Sequence, residues 1–566
     1  MKQWVKYKNN LFWLAVYGTL FAFLQRYFQY HFYFVEQNQL FQNTWNYIAE
    51  RLFYPGGFAL VSSEFLIQFF LLPYLGAAIT AALLTGIGWL TYSMVKRIAP
   101  RANLLIACLL PLISLMLIHF DADYLLSGTI AFLLMLLVLF FMLAIKNFTW
   151  RLIAHFVATA VLFYLAGPIC MLYALSATVY ELLNKSARSC LVLFVLLEAL
   201  LIGVCSVYFS MYGAYQFIFL PDGYYYFDAA PRIAIYFSWV SFLCIIFLAC
   251  FCRNRQNISQ RKRLTEQAVQ LVLAIIFCWW GIPRCADRKS ALSKELDYYS
   301  RTEQWDKILN LCKKQPLLKI SHIRYVNIAL GQKGELGDSM FAYNQEGVEG
   351  ILMPWNQSAY ASILLSDAYF AMNHIALSQR MAFEGFVCNT NPRMLKRLVQ
   401  TNLIFGAYPV AEKYLDVLEN TICYRDWAKA HRKYLYNDAE IEKDSLLNLK
   451  RQSLPKAGNN PSDLTAIEYA GVICLLLKEI ENFQTIIETH YGTDILPSLP
   501  VSFQEAVCLL SEKNPDYWKR FDISEITVKR FAEFKNQIIA GKNNAALAES
   551  IKRSYGDTYW YYYTFK

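Results

Sequence analysis

Seven carboxylates stand in the segments that separate apolar stretches of this sequence: Glu36, Glu50, Glu64, Asp121, Asp123, Asp222 and Asp228. Only Arg26, Arg51 and Arg232 are near enough along the chain to neutralise them. Carboxylates short of cationic partners repel one another, are solvated, or hold a cation. Asp, Glu and water suit a hard divalent ion such as Mg2+, Mn2+ or Ca2+. The tightest pair is Asp121-x-Asp123 in "HFDAD", which interrupts two long apolar runs, and these two are the candidate metal ligands. His119 lies one residue deeper and is expected to be an interfacial side chain bonded to the loop. Amides crowd behind Glu36 (Gln37, Asn38, Gln39), and Tyr224–Phe227 stands between Asp222 and Asp228. Aromatic faces, amides and carboxylates hold sugars, which makes Gln37, Asp222 and Tyr224 candidate substrate-binding residues. The tyrosine run equally suits the aromatic belt of a membrane protein. Glu198 stands apart, inside "LVLFVLLEALLIGVC". A carboxyl there costs a few kcal/mol. It is either a proton or substrate contact or a protonated side chain bonded to a neighbouring helix, and the second is expected.

The elements that must carry these residues are membrane spans. The 566 residues are 56% hydrophobic and only 17% charged, too oily and too long for one soluble domain. Up to Pro283 the apolar runs approach the ~20 residues needed to cross a hydrocarbon core; beyond it the sequence is mixed. No small-residue cleavage site follows the first apolar run, so it reads as a retained span. Residues 65–95 contain Pro73 and differ in charge at their ends, which predicts one crossing with Phe65–Leu72 as an interfacial lead-in helix. Residues 152–183 contain Gly167-Pro168 and are basic at both ends, which predicts two short spans. About nine spans follow, near 11–28, 74–94, 103–119, 125–145, 152–167, 169–183, 190–210, 233–252 and 267–283. With the N-terminus inside, fifteen of the eighteen Lys and Arg before Pro283 are cytoplasmic. Nine spans put the remainder of the chain outside. The net charge of +10 is largely cytoplasmic anchoring and calls for no nucleic acid.

Past the membrane half a spacing recurs: Gly334-x-Leu336-x-x-Ser339, Asn373-x-Ile375-x-x-Ser378 and Gly406-x-Tyr408-x-x-Ala411, with a weaker version at Trp305. Positions 305, 336, 375 and 408 are roughly one tetratricopeptide period, about 34 residues, apart. Gly or Asn turns the chain between two helices, and the small residue lets them approach. Such arrays bind peptides or proteins on a concave face; an irregular helical solenoid packed on its own membrane domain is the other reading. The fourteen cysteines have no metal-type spacing. Residues 436–461 read as a connector, and the aromatic tail "YGDTYWYYYTFK" is expected to pack on the helical region. The expected fold class is all-α, with a transmembrane domain over 1–283, tetratricopeptide-like repeats over 284–435 and a C-terminal helical region over 436–566.

A retained first span, a long acidic first outer loop, an interfacial helix into span two and Asp-x-Asp between spans three and four resemble the C-type membrane glycosyltransferases. That resemblance covers the membrane half. It implies a polyprenyl-phosphate-linked sugar as donor, Glu36 as the catalytic acid of the first loop, and Asp121 and Asp123 as metal ligands for a divalent cation, Mg2+ or Mn2+. The family commonly has Asp or an acidic pair in the first loop, whereas Glu36 is followed by Gln37. The whole chain also resembles a group of bacterial multi-pass proteins with a tetratricopeptide-like outer half, which supplies no activity. Three functions are therefore open: a lipid-linked-sugar glycosyltransferase or degenerate relative at the outer face of the cytoplasmic membrane, a non-catalytic membrane-anchored scaffold for protein partners, and a transporter. In the first, Glu36, Asp121 and Asp123 share one cavity; in the second they point separately into solvent.

Overall fold

The structure is a computed structural model that describes residues 2–184, 189–209, 215–226, 230–255, 259–286, 288–314, 319–454, 464–512, 514–541 and 547–566. It is helical throughout, and its described residues contain isolated bridges but no strand. The chain divides into two compact units, 1–291 with 420–423, and 292–419 with 424–566.

The first unit holds α1 (Lys2–Glu36), α2 (Trp45–Leu52), α3 (Gly57–Ile67), α4 (Leu75–Ile98), α5 (Leu109–Ile118), α6 (Leu126–Met142), α7 (Phe148–Ala166), α8 (Ile169–Leu183), α9 (Leu193–Tyr208), α10 (Gln216–Phe219), α11 (Ala234–Phe251) and α12 (Gln260–Cys285). Six of them are long and apolar enough to cross a membrane: α1, α4, α7, α9 with its leading turn, α11 and α12. The other three expected spans are shorter helices. At a rise of about 1.5 Å per residue, α5 extends about 15 Å, half a hydrocarbon core. Every residue of α5 from Pro111 to Ile118 is buried, so it is an inner helix surrounded by protein.

Two backbone devices break the long apolar runs. Pro73 has no N–H to continue a helix, and Leu72 before it is extended (φ −82°, ψ 137°). The run therefore splits into α3, a 3-10 turn at Gln68–Leu71, and α4. At the second break Gly167 takes φ 73°, ψ −133°, a conformation open to glycine alone. The chain reverses there from α7 into α8, which pack on each other.

The second unit begins with α13 (Arg288–Arg301), α14 (Trp305–Lys313), α15 (Ile320–Lys333), α16 (Leu336–Ser339), α17 (Ala359–Ala371), α18 (Ile375–Cys388), α19 (Pro392–Phe405) and α20 (Tyr408–Glu419). Five of its joints share one turn. Gly334, Asn373 and Gly406 all have positive φ, and so do Glu303 and Lys478, each two residues before the next helix. At each joint the residue after the left-handed one donates its N–H five positions back: Gln304 to Tyr299, Glu335 to Leu330, His374 to Tyr369, Ala407 to Asn402 and Glu479 to Cys474, at 2.8–2.9 Å. This is the Schellman closure, which satisfies the last carbonyls of a helix. The small residues act as expected between α17 and α18, where Ser366 and Ser378 each donate to the other's carbonyl, at 3.0 and 2.8 Å. The spacing is not regular throughout: α16 is a single turn, followed by irregular chain to Ser358.

Buried charge ties these helices together. Arg393 on α19 pairs with Asp297 on α13 at 2.7 Å and with Asp367 on α17, which also holds Arg397 at 3.0 Å. Then come α21 (Arg425–His431), α22 (Asp438–Lys443), α23 (Ser445–Gln452), α24 (Leu464–Leu477), α25 (Ile480–His490), α26 (Val501–Leu510), α27 (Glu525–Ala540), α28 (Leu547–Tyr555) and α29 (Tyr559–Phe565). The expected connector thus contains α22 and α23, and part of it lies outside the described residues. One core joins Leu296–Met372 to Ile467–Tyr562, so the expected third region shares its interior with the repeats. The aromatic tail packs into that core. Trp560 is fully buried and donates to the Glu505 carbonyl at 2.7 Å, and the Tyr562 hydroxyl donates to the Leu476 carbonyl at 2.8 Å.

Candidate functional site

The loops that carry the sequence-predicted site residues meet at one end of the first unit. Leu125 donates its N–H to the Tyr224 carbonyl at 2.9 Å, and Tyr226 donates its N–H to the Asp123 carbonyl at 3.1 Å. The Tyr226 hydroxyl donates to the Asn38 carbonyl at 3.2 Å and accepts from the Gln39 amide at 3.3 Å. The segments after α1, after α5 and after α10 are therefore stitched together around Tyr226. Phe120 adds an anchor, stacked on Phe28 of α1 with ring centroids 4.0 Å apart.

Within this junction the carboxylates have separate tasks. Glu36 is the last residue of α1 and is only 1% exposed, with its carboxylate accepting from the Gln37 amide. Asp121 pairs with Arg232, Nε to Oδ2 2.7 Å, and accepts the Asp123 N–H at 3.3 Å. The Arg232 guanidinium reaches on to the carbonyls of Arg284 and Cys285 at 3.4 and 3.2 Å. It thus sits at the C-terminus of α12, where the helix dipole favours a cation, and fastens the "HFDAD" turn to that helix end. The side chain of Asp123 is exposed. Asp222 is buried and accepts from the Tyr236 hydroxyl. Asp228 lies outside the described residues. Glu64 takes two bonds from Arg51 Nε, at 2.8 and 3.1 Å, and one from the Tyr47 hydroxyl at 2.9 Å.

Tyr224 is committed to the fold. Its hydroxyl donates to the Ala166 carbonyl at 2.5 Å and accepts the Ile169 N–H at 3.0 Å. It satisfies both backbone groups freed by the break at Gly167, so a sugar could use this oxygen only by opening the turn. His119 bonds Thr129 on α6 at 2.9 Å, not the loop, because Thr129 is one of few polar groups beside it in an apolar interior. Among the described residues Glu198 Oε2 has no hydrogen-bond partner. It lies in an apolar groove of about 610 Å3 lined by Phe156, Phe194 and Leu201.

Among the described residues no three His, Cys, Asp or Glu side chains gather as metal ligands would. Asp121 and Asp123 are adjacent, but the cation beside Asp121 is Arg232. The sequence reading also missed a cluster at the far end of α7 and α8. Arg151 binds Glu181 there, Nη2 to Oε2 3.0 Å, and His155 bonds the Tyr173 hydroxyl at 2.7 Å, with its Nε2 3.8 Å from Glu181. All four side chains are buried. A signal existed: in a helical hairpin, residues at similar distances from the turn face each other, and Arg151 and Glu181 flank Gly167 almost symmetrically.

Fold and junction together define a class: an all-helical protein with six membrane-length apolar helices and a separate helical unit after them. Over residues 3–566 the chain matches the family of unknown function DUF6057, and it belongs to that family. No curated protein and no solved structure matches it.

Proposed function

We propose that the protein is an anchor in the cytoplasmic membrane that presents its second unit, outside the cytoplasm, to a peptide or protein segment. The observation that supports this reading is the helix joint repeated at Glu303, Gly334, Asn373, Gly406 and Lys478, a turn of the kind that tetratricopeptide-like pairs would use. Stacked pairs leave a continuous face for a bound chain. α18 also leaves Phe383 and Val387 exposed. Residues four apart share a helix face, so these form an apolar stripe of the kind a partner covers. The test uses the full-length protein in native membranes, with a photoreactive amino acid at Phe383 or Val387. A discrete adduct is expected at both, and none at Lys529, whose side chain is 76% exposed on α27. Adducts at Phe383 and Val387 no stronger than at Lys529 would remove the reading.

A second reading, glycosyl transfer from a polyprenyl-phosphate-linked sugar, draws support from the junction that brings the Glu36, Asp123 and Asp222 segments together. It keeps Glu36 as the catalytic acid. It needs Asp121 to exchange Arg232 for Mg2+ or Mn2+, and Tyr224 to release the turn between α7 and α8.

A further inference from the structure

Near the other end of α1, away from the junction, a cavity of about 360 Å3 opens between α1, α4 and α12, wholly within the first unit. Three cationic side chains line it: Lys96 near the end of α4, Arg101 in the turn that follows, and Arg263 in the first turn of α12. Among the described residues no Asp or Glu does. The cations converge because the segment after α4 is tied to α12. Asn103 donates to the Arg263 carbonyl at 2.9 Å and accepts from the Gln267 amide at 3.0 Å. The carboxylate beside this wall, Glu266, is engaged by Arg255. Among the described residues neither Arg101 nor Arg263 forms an ion pair. Like charges gathered in one cavity repel one another until an anion enters.

Two further donors face the same space. Lys96 gives two of its three hydrogens to the Ala102 and Pro100 carbonyls, at 2.8 and 3.2 Å, which fixes the ammonium and leaves one hydrogen over. The Tyr92 hydroxyl, one turn earlier on α4, accepts from Asn9 of α1 at 3.3 Å. Its own hydrogen meets no acceptor among the described residues. The rest of the setting is apolar. Leu104 and Leu105 line the cavity, and the two long helices continue from it with exposed apolar side chains. Trp89 stands one turn from Tyr92 on α4, and Leu271 one turn from Gln267 on α12.

We propose that this cavity binds the headgroup of an anionic phospholipid, with the phosphodiester among Lys96, Arg101 and Arg263 and the acyl chains along Trp89 and Leu271. Basic pockets between membrane helices hold such headgroups. A free phosphate would use the same cations but leave the apolar faces of α4 and α12 bare. A zwitterionic phospholipid would bring an ammonium against three cations. The proposal rests on the apolar helices lying in a bilayer, which recovery of the chain in carbonate-washed membranes checks separately, and not on a partner at the second unit.

The experiment is native mass spectrometry of the full-length protein in detergent, titrated with phosphatidylglycerol, phosphatidylethanolamine or inorganic phosphate. Wild-type protein is expected to retain phosphatidylglycerol at least tenfold better than phosphatidylethanolamine, with inorganic phosphate a poor competitor. Arg101→Gln and Arg263→Gln change exposed side chains without ion pairs, so the fold survives them. Each is expected to lower phosphatidylglycerol retention about fivefold, and the double variant about thirtyfold. Arg263→Lys is expected to keep most of it. Lys262→Gln removes an exposed cation next to Arg263 that does not line the cavity, and is expected to change retention less than twofold. Equal retention of the two lipids, undiminished retention in the double variant, displacement by inorganic phosphate at equal concentration, or a loss in Lys262→Gln as large as in Arg263→Gln would each overturn the proposal.

Discussion

Glu505 shows how much one side chain can settle. It is 3% exposed on α26 and accepts the Tyr559 N–H at 2.6 Å. Burial pushes its carboxyl from 4.5 up to about 8, against the pull of that N–H and of Arg530. The folded state therefore keeps a proton that the unfolded chain loses near the ordinary carboxylate value. Between those two values the unfolded state binds fewer protons, so stability falls as pH rises. The contribution is whole below 4.5 and gone above about 8. Glu505→Gln accepts the same N–H and never ionises. It is expected to flatten the fall in stability between pH 5 and 8 and to exceed wild type at pH 9 by about 1–3 kcal/mol, read by chemical denaturation. An unchanged slope would show that Glu505 does not hold this proton. The tail that meets Glu505 was legible in its aromatic composition; its partner, 54 residues earlier, was not. The same limit applied at Asp121. Arg232 stood in the sequence as one of three outer cations, but their separation of 111 residues hid the pairing.

Among the elements, punctuation was the most legible feature. Pro73 and Gly167-Pro168 broke the long apolar runs because one lacks an N–H and the other allows a backbone reversal. Gly334, Asn373 and Gly406 marked turns for a local reason as well. Glu303 and Lys478 make the same joint without a glycine or asparagine to announce it. The shortness of α5 was illegible, since an apolar run reads alike whether protein or lipid surrounds it. The joints can be weighed. A Cβ at Gly334 or Gly406 would meet nothing within 4 Å, so alanine there tests backbone conformation alone. Each substitution is expected to destabilise by about 1–2 kcal/mol. Lys478→Gly is expected to change stability in the opposite direction by up to about 1 kcal/mol, because its left-handed strain disappears. Denaturation midpoints that rise in Gly334→Ala and Gly406→Ala would contradict the shared joint.

For the whole molecule, composition already divided an apolar half from a mixed one, and the compact units separate at Ala291 and Leu292. Composition could not say what the acids do, because that depends on segments brought together from three places in the chain. In the structure these acids act as counter-ions and hydrogen-bond acceptors within a junction: Glu64 for Arg51, Asp121 for Arg232, Asp222 for Tyr236. This arrangement braces one end of the first unit, and it bears on the choice between anchor and transferase. The most direct test is thermal unfolding of the full-length protein in nanodiscs, with and without Mn2+, for wild type and for Asp121→Asn. As a counter-ion, Asp121 stabilises the fold, and the Asn variant leaves Arg232 without its carboxylate. Its Tm is expected to fall by the equivalent of about 1–3 kcal/mol, with no shift on adding Mn2+ in either protein. A wild-type Tm that rises with Mn2+, together with an Asn variant that is more stable in the absence of metal and does not respond to it, would contradict the account and make Asp121 a metal ligand.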